Sequence, residues 1–340
     1  MKKIVKVPLK ILGWFVGIVC ALLILIFVGE KLFFGKFFFG GAKMEMKVPG
    51  TWTEYVQQGF DRLDDGKFLV SAYSKKNENA AIYVLDDGDE TLCKLQNADG
   101  TPYLSHAGGL THYKDWVYVA TDNHVDTAGD VYCAHDNCNT NLDRFLLSDV
   151  LDGDGKATLV DSIVIPNRLA YVSIYDNTLY AGAFHRAGSK YLTPIEHHFN
   201  TPAGDKNTAL MMVYDMNPTT GKPKATPTKC YSTTSNVQGM CLTEKGNIVL
   251  STSWGVNVSH LYQYNASKAE KKGTVSINNV KVPVYHLDSS CLLKDTKTPP
   301  MAEELVFHDG RVYILTESAS MKYIFGKIMS GNHVYSYPLN

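Results

Sequence analysis

The fifteen residues EELVFHDGRVYILTE, at positions 303–317, contain the pattern that decides the fold of this chain. An Asp-Gly pair at 309–310 separates two short runs that are rich in aromatic and β-branched residues. A pair of this kind between two such runs is typical of a tight turn joining neighbouring antiparallel strands. The segment therefore predicts a β-hairpin.

The same pattern occurs four more times without a gap. Each copy begins with a small residue, has its turn at the seventh and eighth positions, and ends in a strand-like run. The four copies are GFDRLDDGKFLVSAY (59–73), GGLTHYKDWVYVATD (108–122), AYVSIYDNTLYAGAF (170–184) and GMCLTEKGNIVLSTS (239–253). A further strand-like run follows every copy, for example HVYSYPL at 333–339. The repeating unit is therefore a hairpin with an added third strand.

A strand–turn–strand–strand unit that recurs in this way is typical of the blades of a β-propeller. Radial closure also protects the strand edges that a monomeric all-β domain would otherwise expose. We predict an all-β fold, a β-propeller with five blades and a monomeric ectodomain. A sixth blade formed from 280–298 and a β-sandwich with coincidental hairpins are the alternatives.

The N-terminal segment has a different character. Four lysines lie within the first ten residues, and Ile11–Val28 then runs for 18 residues without a charge. A helix of that length, with a few flanking residues, can cross a hydrocarbon core of about 30 Å. The lysines that precede it place the N-terminus on the cytoplasmic side. We predict a single-pass cell-membrane protein with a cytoplasmic tail (1–10), a transmembrane α-helix (11–29), an interfacial segment and linker (30–52) and an extracytoplasmic propeller (53–340). A cleaved signal peptide is the alternative, although no A-x-A site follows the span.

The charge and cysteine content of the outer part limit its partners. Beyond residue 42 there are 27 basic and 33 acidic residues, a formal net charge of −6. A mildly acidic domain argues against nucleic acid and against anionic lipid surfaces as partners. Six cysteines in an oxidising compartment permit disulfides, and Cys133 with Cys138 is the favoured local pair; no zinc-site spacing is present.

The repeat also predicts where functional side chains meet. The first positions of each copy begin the innermost strand and the last positions end its partner, so antiparallel pairing brings both to one face beside the central channel. Polar and aromatic side chains occupy these positions, a composition that small-molecule sites share. We call this predicted site the cup and assign to it Gln58, His106, Asp122, Arg168, Phe184, Gln238, Trp254, Glu303 and Glu317, with Tyr73 in its wall.

The chemistry of the cup has several possible forms. His106 with Asp122 or Glu317 can make an acid/base pair, and Glu303 can act as an acid with a raised pKa. The carboxylates of Asp122, Glu303 and Glu317 can instead hold calcium, which prefers oxygen ligands. The long insertion at 183–207 is predicted to be a lid over the cup. The remaining alternative is that these side chains line a channel that holds only water.

Four phrases also carry a resemblance to known proteins. They are SHAGGL (105–110), VQGM (237–240), LSTSWG (250–255) and PPMAEELVFHDGRVYILTES (299–318), and they resemble segments of uncharacterised bacterial membrane-anchored or secreted β-propeller-like proteins. More distantly, the layout resembles the calcium-dependent propellers that include lactonases and strictosidine-synthase-like proteins. The first resemblance implies a fold and a location, and the second implies acids and amides around a central metal.

The functional prediction is a tethered domain that binds a small polar ligand in the cup, with or without a calcium ion. A hydrolase or lactonase that uses the same cup is the first alternative. A surface domain that binds another protein is the second alternative, and it requires no cup.

Overall fold

A computed structural model of the protein describes residues 6–35, 41–76, 78–121, 140–317, 320–323 and 331–339. Helix α1 (Lys6–Gly35) precedes the β-domain, and the short helix α2 (Leu147–Leu151) lies within it. Two 3₁₀ turns occur at Ile195–His197 and Ala266–Lys268. In these described ranges, no helix combines the length and the apolar character that crossing a membrane requires.

Every other regular element is a strand. In chain order the strands are β1 (Lys43–Lys47), β2 (Tyr55–Arg62), β3 (Phe68–Ser74), β4 (Ala81–Asp86), β5 (Asp89–Gln96), β6 (Leu110–Tyr113), β7 (Trp116–Thr121), β8 (Thr140–Leu146), β9 (Lys156–Thr158), β10 (Asp161–Ile165), β11 (Leu169–Tyr175), β12 (Thr178–Ala183), β13 (Phe199–Asn200), β14 (Lys206–Asn207), β15 (Ala209–Asn217), β16 (Lys222–Pro223), β17 (Lys229–Thr233), β18 (Val237–Leu242), β19 (Ile248–Thr252), β20 (Ser259–Tyr264), β21 (Glu270–Ile277), β22 (Val280–His286), β23 (Leu292–Thr298), β24 (Ala302–His308), β25 (Arg311–Thr316) and β26 (His333–Pro338).

The five predicted repeats form five antiparallel hairpins, each at the inner edge of a separate sheet. The sheets have the orders β2-β3-β4-β5-β9, β6-β7-β8-β10, β11-β12-β15-β17-β22-β21, β18-β19-β20-β23 and β24-β25-β26-β1. Strand β16 pairs with β15, and β13 with β14 forms a small separate ribbon. The all-β, propeller-like fold predicted from the repeat is therefore confirmed.

The number of blades differs from the prediction. Four sheets have four or five strands, the size of a regular blade, whereas the third repeat opens a seven-stranded sheet. The hairpin β21–β22 enlarges it, because β22 pairs in parallel with β17 through Cys230 and Val284. The described residues thus form four regular blades rather than the predicted five. The stretch 280–298 forms no sixth blade, since β22 joins the third sheet and β23 is the outer strand of the fourth.

The two ends of the β-domain close the ring. The innermost strands touch in the order β2, β6, β11, β18 and β24, and β24 returns to β2. Strand β1 pairs with β26, joining Lys43 to Ser336 and Met44 to Tyr335. Because the first strand completes the last sheet, the edge of β26 is covered by main-chain hydrogen bonds instead of being left open.

Apolar layers between neighbouring sheets hold the ring together. Between the first and second sheets, Leu69, Ile82 and Leu95 pack with Val117 and Phe145, and all five are fully buried. Each such side chain contributes roughly 1.5–3 kcal/mol relative to exposure. Cys93, Cys230, Cys241 and Cys291 are buried free thiols, while the predicted pair Cys133–Cys138 lies outside the described residues.

The small first residue of the repeat has a packing reason. A Cβ atom on Gly59 would lie 2.5 Å from the backbone nitrogen of Leu110, in the next sheet. A Cβ atom on Gly239 would lie 2.5 Å from the Cα atom of Glu304. Any side chain at these positions would push apart the innermost strands, which approach one another closely around the channel.

Candidate functional site

The innermost strands are irregular where they begin. Pairing shifts register between Gln57 and Phe60, between Leu169 and Tyr171, between Val237 and Gly239, and between Ala302 and Leu305. A bulge interrupts the alternation of a strand and re-aims the side chain at that point. These bulges fall at Gln58, Ala170, Gln238 and Glu303 with Glu304, so the sheet geometry directs selected side chains at the channel mouth.

The backbone before three of these strands is also strained. Ala107, Asn236 and Met301 have φ values of 50°, 62° and 64°, in the left-handed region. Conformations of this kind persist in non-glycine residues only where the surrounding structure imposes them, and they cluster at functional sites. The three residues precede the strand starts of the second, fourth and fifth repeats, on the face that the sequence predicts for the cup.

A cavity of about 350 Å³ lies at this face. This volume falls within the ~300–1,000 Å³ typical of small-molecule sites. Eight of the nine predicted ligand-binding residues line it, namely Gln58, His106, Arg168, Phe184, Gln238, Trp254, Glu303 and Glu317. The ninth, Asp122, lies outside the described residues.

Two amide–carboxyl pairs form the polar part of the cup. The Nε2 atom of Gln58 donates to Oε2 of Glu317 at 3.1 Å, and Nε2 of Gln238 donates to Oε1 of Glu303 at 3.0 Å. Gln58 also donates to the carbonyl of Gln57 at 2.8 Å. Each pair joins different blades, so the relative positions of these groups depend on ring closure.

The two carboxyl groups differ in how readily they ionise. Burial, together with the charges of Glu317 and Glu304, raises the pKa of Glu303 well above its usual value. Burial also raises the pKa of Glu317, while the Lys322 ammonium and the Gln58 amide act in the opposite direction. A like charge nearby disfavours ionisation of a second carboxyl in a poorly solvated space. Glu303 is therefore the carboxyl that keeps its proton to higher pH.

Aromatic side chains form one wall of the cup. The rings of Phe184 and Trp254 stack with their centroids 6.0 Å apart, and Tyr191 meets both edge-on at 5.6 and 6.0 Å. The guanidinium of Arg168 lies over Tyr191 at 5.3 Å and donates from Nη1 to the carbonyl of Lys190 at 2.8 Å. The guanidinium of Arg186 lies over the Trp254 ring, 4.1 Å from its centroid, and Arg186 is not among the residues that line the cavity.

A second aromatic group belongs to the first and second sheets. The ring of His106 stacks on Tyr73 at 4.5 Å, and Nζ of Lys322 donates to the Tyr73 hydroxyl at 2.6 Å. Tyr73 thus supports the cup from behind His106 and does not line the cavity as predicted. The predicted pairing of His106 with Asp122 involves a residue outside the described ranges and stays a prediction.

Three of the lining residues that the sequence did not predict carry aromatic or charged side chains, namely Tyr191, Lys322 and Tyr323. Tyr191 comes from the insertion at 183–207, which was predicted to cover the cup, and its length was the only available signal. Lys322 and Tyr323 follow the fifth repeat, where the repeat pattern has already ended. The alignment of the repeats does not extend to these two positions. It therefore could not predict that their side chains line the cup.

The insertion also contains a buried histidine cluster beside the cup. Thr193 Oγ1 lies 2.9 Å from Nδ1 of His185 and 3.0 Å from Nε2 of His198. Burial, with His198 nearby, lowers the pKa of His185 to about 4, and burial lowers that of His197 to about 4. These imidazoles are therefore neutral at physiological pH, packing the base of the insertion.

Within the described part of the chain, no group of three or more His, Cys, Asp or Glu residues is placed to hold a metal ion. Glu303 and Glu317, two of the predicted calcium ligands, lie in the cup, but Asp122 is not described. The calcium site therefore stays a prediction.

Comparison with known proteins identifies no family. No family model and no curated protein matches the chain. The predicted likeness to bacterial membrane-anchored propeller proteins is therefore supported only at the level of the propeller fold.

Solved structures with a similar fold do exist. The chain is 14% identical to a PQQ-bound aldose sugar dehydrogenase from Streptomyces coelicolor, with a TM-score of 0.46 over 87% of this chain and 97% of that one. It is 10% identical to an exo-β-1,3-galactanase from Phanerochaete chrysosporium (TM-score 0.46, 88% and 65% covered). It is 11% identical to an α-L-arabinofuranosidase from Lactobacillus brevis (TM-score 0.43, 86% and 93% covered). Likenesses at this level carry no argument about activity.

Proposed function

We propose that this protein is a membrane-tethered binding protein that holds one small polar ligand in the cup. The observation that carries the proposal is the convergence of two amide–carboxyl pairs on a cavity with an aromatic wall. The pairs Gln58–Glu317 and Gln238–Glu303 come from the first, fourth and fifth sheets. Ligand sites combine apolar walls with a few aimed polar groups in this way.

The energetic cost of the cup supports a functional role over a simple channel. Glu303 is only 3% exposed, and burying an ionisable group without a matching charge is unfavourable. The bulges and left-handed residues at the strand starts add further strain. A channel that only held water would need neither a buried acid nor re-aimed strand starts, so this arrangement favours recognition of a ligand.

A broad ligand screen tests the binding proposal. We expect at least one compound from a panel of amino acids, sugars, sugar acids and small carboxylates to raise the melting temperature of the purified full-length protein. The increase should disappear in Gln238→Leu, which removes an amide that lines the cup. Stabilisation that is equal in the variant, or absent across the whole panel, would contradict the proposal.

The proposed tether rests on the N-terminal segment. Residues 11–28 contain no charged side chain, and large apolar residues along α1, including Trp14, Phe15 and Leu25, are exposed. Exposed apolar surface of this extent needs a partner, and a lipid bilayer is the partner that fits the lysine-rich flank. We expect the full-length protein to remain in the membrane pellet after alkaline carbonate extraction, and a chain starting at residue 43 to be released. Release of both would contradict the tether.

One observation favours an enzymatic alternative. The pKa of Glu303 is raised by burial and by neighbouring carboxyls, as expected of a general acid near neutral pH. In that case the cup would belong to a hydrolase or lactonase, with His106 as the second candidate group. Turnover of an ester or lactone panel that is lost in Glu303→Gln would support this alternative, and turnover that persists in that variant would eliminate the proposed acid.

Calcium has a direct test as well. If the ion is held by Glu303 and Glu317, elemental analysis of the purified protein should detect about one calcium per chain. The double variant Glu303→Gln with Glu317→Gln should lose it, because neutral amides replace both carboxylates. Protein that is fully folded and free of calcium after dialysis against calcium buffer would remove the ion from the proposal.

A further inference from the structure

We infer that the ligand of the cup is a single pyranose ring, a monosaccharide or its uronic acid. This inference rests on the proposed binding function and adds the chemical class of the ligand. Three independent properties of the cup carry it, namely the shape of the aromatic wall, the kind of polar groups and the size of the enclosed space.

The aromatic wall provides a flat apolar surface beside polar groups. Phe184 and Trp254 are stacked at an interplanar angle of 30°, and Tyr191 closes the corner edge-on. A pyranose presents axial C–H groups on its faces and hydroxyls around its rim. Packing a C–H face on the Trp254 ring removes apolar surface from water while the rim hydroxyls stay directed at polar partners.

The polar groups suit hydroxyls better than they suit ions. An amide offers both a donor and an acceptor, and a protonated carboxyl does the same, whereas a bare carboxylate only accepts. Both hydrogens of Gln58 Nε2 are already donated to Glu317 and Gln57, so this side chain presents its oxygen. Gln238 and Glu303 present both donors and acceptors, as a ring of hydroxyls requires. A ligand that was only a cation would need bare carboxylates, whereas burial and the neighbouring acids raise the pKa of Glu303.

The cationic groups argue against a phosphorylated ligand. Arg168 and Lys322 are the cationic side chains among the described lining residues. The first donates to the carbonyl of Lys190 and the second to the hydroxyl of Tyr73. Phosphate sites usually present several donors converging on one anion, while these two donate to protein oxygens on different sides of the cavity.

The volume fits a small ligand. A cavity of about 350 Å³ lies near the lower end of the ~300–1,000 Å³ typical of small-molecule sites. A single sugar ring is a ligand of this size class. Tyr191 comes from the insertion at 183–207 and stands against Trp254, so the insertion limits extension of a chain past this wall.

Calorimetry and tryptophan fluorescence test the inference. The full-length protein is purified in a detergent without a sugar head group and titrated with glucose, galactose, mannose, glucuronate, glutamine and inorganic phosphate. We expect saturable heat and a change in Trp254 emission with at least one of the four sugars. Binding should weaken about tenfold or more in Trp254→Ala and clearly less in Trp254→Phe, which keeps an aromatic face.

A matched control separates stacking from a general loss of tryptophan. Trp52 is 78% exposed and does not line the cavity, so Trp52→Ala should bind the same sugar with unchanged affinity. Binding of glutamine or phosphate without any sugar would overturn the pyranose assignment while leaving the cup as a ligand site. Absence of binding across this panel and the broader screen would overturn both proposals.

Discussion

The channel has two ends with opposite character, although the same five strands build both. At the end where the strands start, Gln58, Gln238 and Glu303 point at an open cavity. Further along the same strands toward the turns, polar groups are matched across neighbouring blades: Glu304 Oε1 accepts from the Met240 N–H at 3.1 Å, and Asp61 Oδ2 lies 2.7 Å from Nδ1 of His112. Of the adjacent residues Glu303 and Glu304, the first lines the cavity and the second accepts a hydrogen bond from the neighbouring blade.

One repeat can therefore carry both stability and a site. Polar groups in both regions are paired between blades, but only the cup pairs Gln58–Glu317 and Gln238–Glu303 also line a cavity. Changing one group at each end should thus separate stability from binding.

The largest effect is expected for Glu304→Ala. Glu304 is fully buried, and its loss leaves the Met240 N–H without an acceptor and a void beside Gly239. An unmatched buried donor together with a cavity costs about 3 kcal/mol. Urea unfolding should show this loss in the free energy of unfolding. Glu304→Gln keeps an acceptor oxygen and should lose clearly less; equal losses in the two variants would contradict the pairing role.

Acid is expected to weaken the insertion beside the cup. The folded-state pKa values of His185 and His197 are lowered to about 4, against about 6.5 in an unfolded chain. The stability that neutral imidazoles provide is therefore complete above pH 6.5 and is lost as the pH falls toward 4. The loss should reach about 2 kcal/mol per histidine near pH 5. Thermal unfolding between pH 7.5 and 4.5 measures it.

The matched variant for this effect is His185→Gln. It cannot be protonated, so the loss of stability on acidification should be smaller than in the parent protein. A variant that unfolds with the same pH profile as the parent would show that another group is responsible.

Glu303→Gln should separate binding from stability. The amide is neutral and close in shape to the protonated acid, so the free energy of unfolding should change by less than about 1 kcal/mol. Ligand affinity should fall about tenfold, because the NH₂ group of the amide donates but cannot accept a hydrogen bond from a ligand hydroxyl, as the replaced carboxyl oxygen can. Denaturation and calorimetry on the same sample check both halves. A large loss of stability with unchanged affinity would place Glu303 among the assembly groups.

The smallest effect belongs to the pair Asp61–His112. Burial lowers the pKa of His112, but the hydrogen bond and charge of Asp61 outweigh this, and the net shift is upward. A histidine with a raised folded-state pKa adds stability that is complete below about pH 6.5 and is lost as the pH rises through the folded value. We expect a decline of about 1 kcal/mol or less on the alkaline side. Asp61→Asn should remove this decline in stability. If the decline persists in the variant, a group other than the Asp61–His112 pair causes it.

Much of the site could be read from the repeat because strand pairing is a local rule. Val56 lies opposite Tyr73, Leu169 opposite Ala183, and Ala302 opposite Thr316, so strand starts and partner ends do share one face. Gln58, Gln238 and Glu303 followed directly from that alignment. Tyr191 and Lys322 did not, because they reach the cup from an insertion and from a segment after the last strand of a hairpin, where no periodicity applies.

The blade number shows a different limit. Local patterning located all five hairpins, but it does not specify which sheet an outer hairpin will join. The pairing of Cys230 with Val284 joins residues more than fifty positions apart, and it is parallel. Turn residues predict only the pairing of strands that are neighbours in the sequence. The folded chain was therefore needed to show the seven-stranded third sheet and the absence of a sixth blade among the described strands.

The amino-acid sequence by itself determined the hairpins, their phase and the face on which the polar residues gather, because turns and strand alternation depend on neighbouring residues. The tertiary structure alone decided which of those residues share a cavity, which of two adjacent glutamates faces it, and how far the pKa of that carboxyl rises. These properties depend on ring closure and burial. They arise from contacts between distant segments, and only the closed ring of sheets brings those segments together.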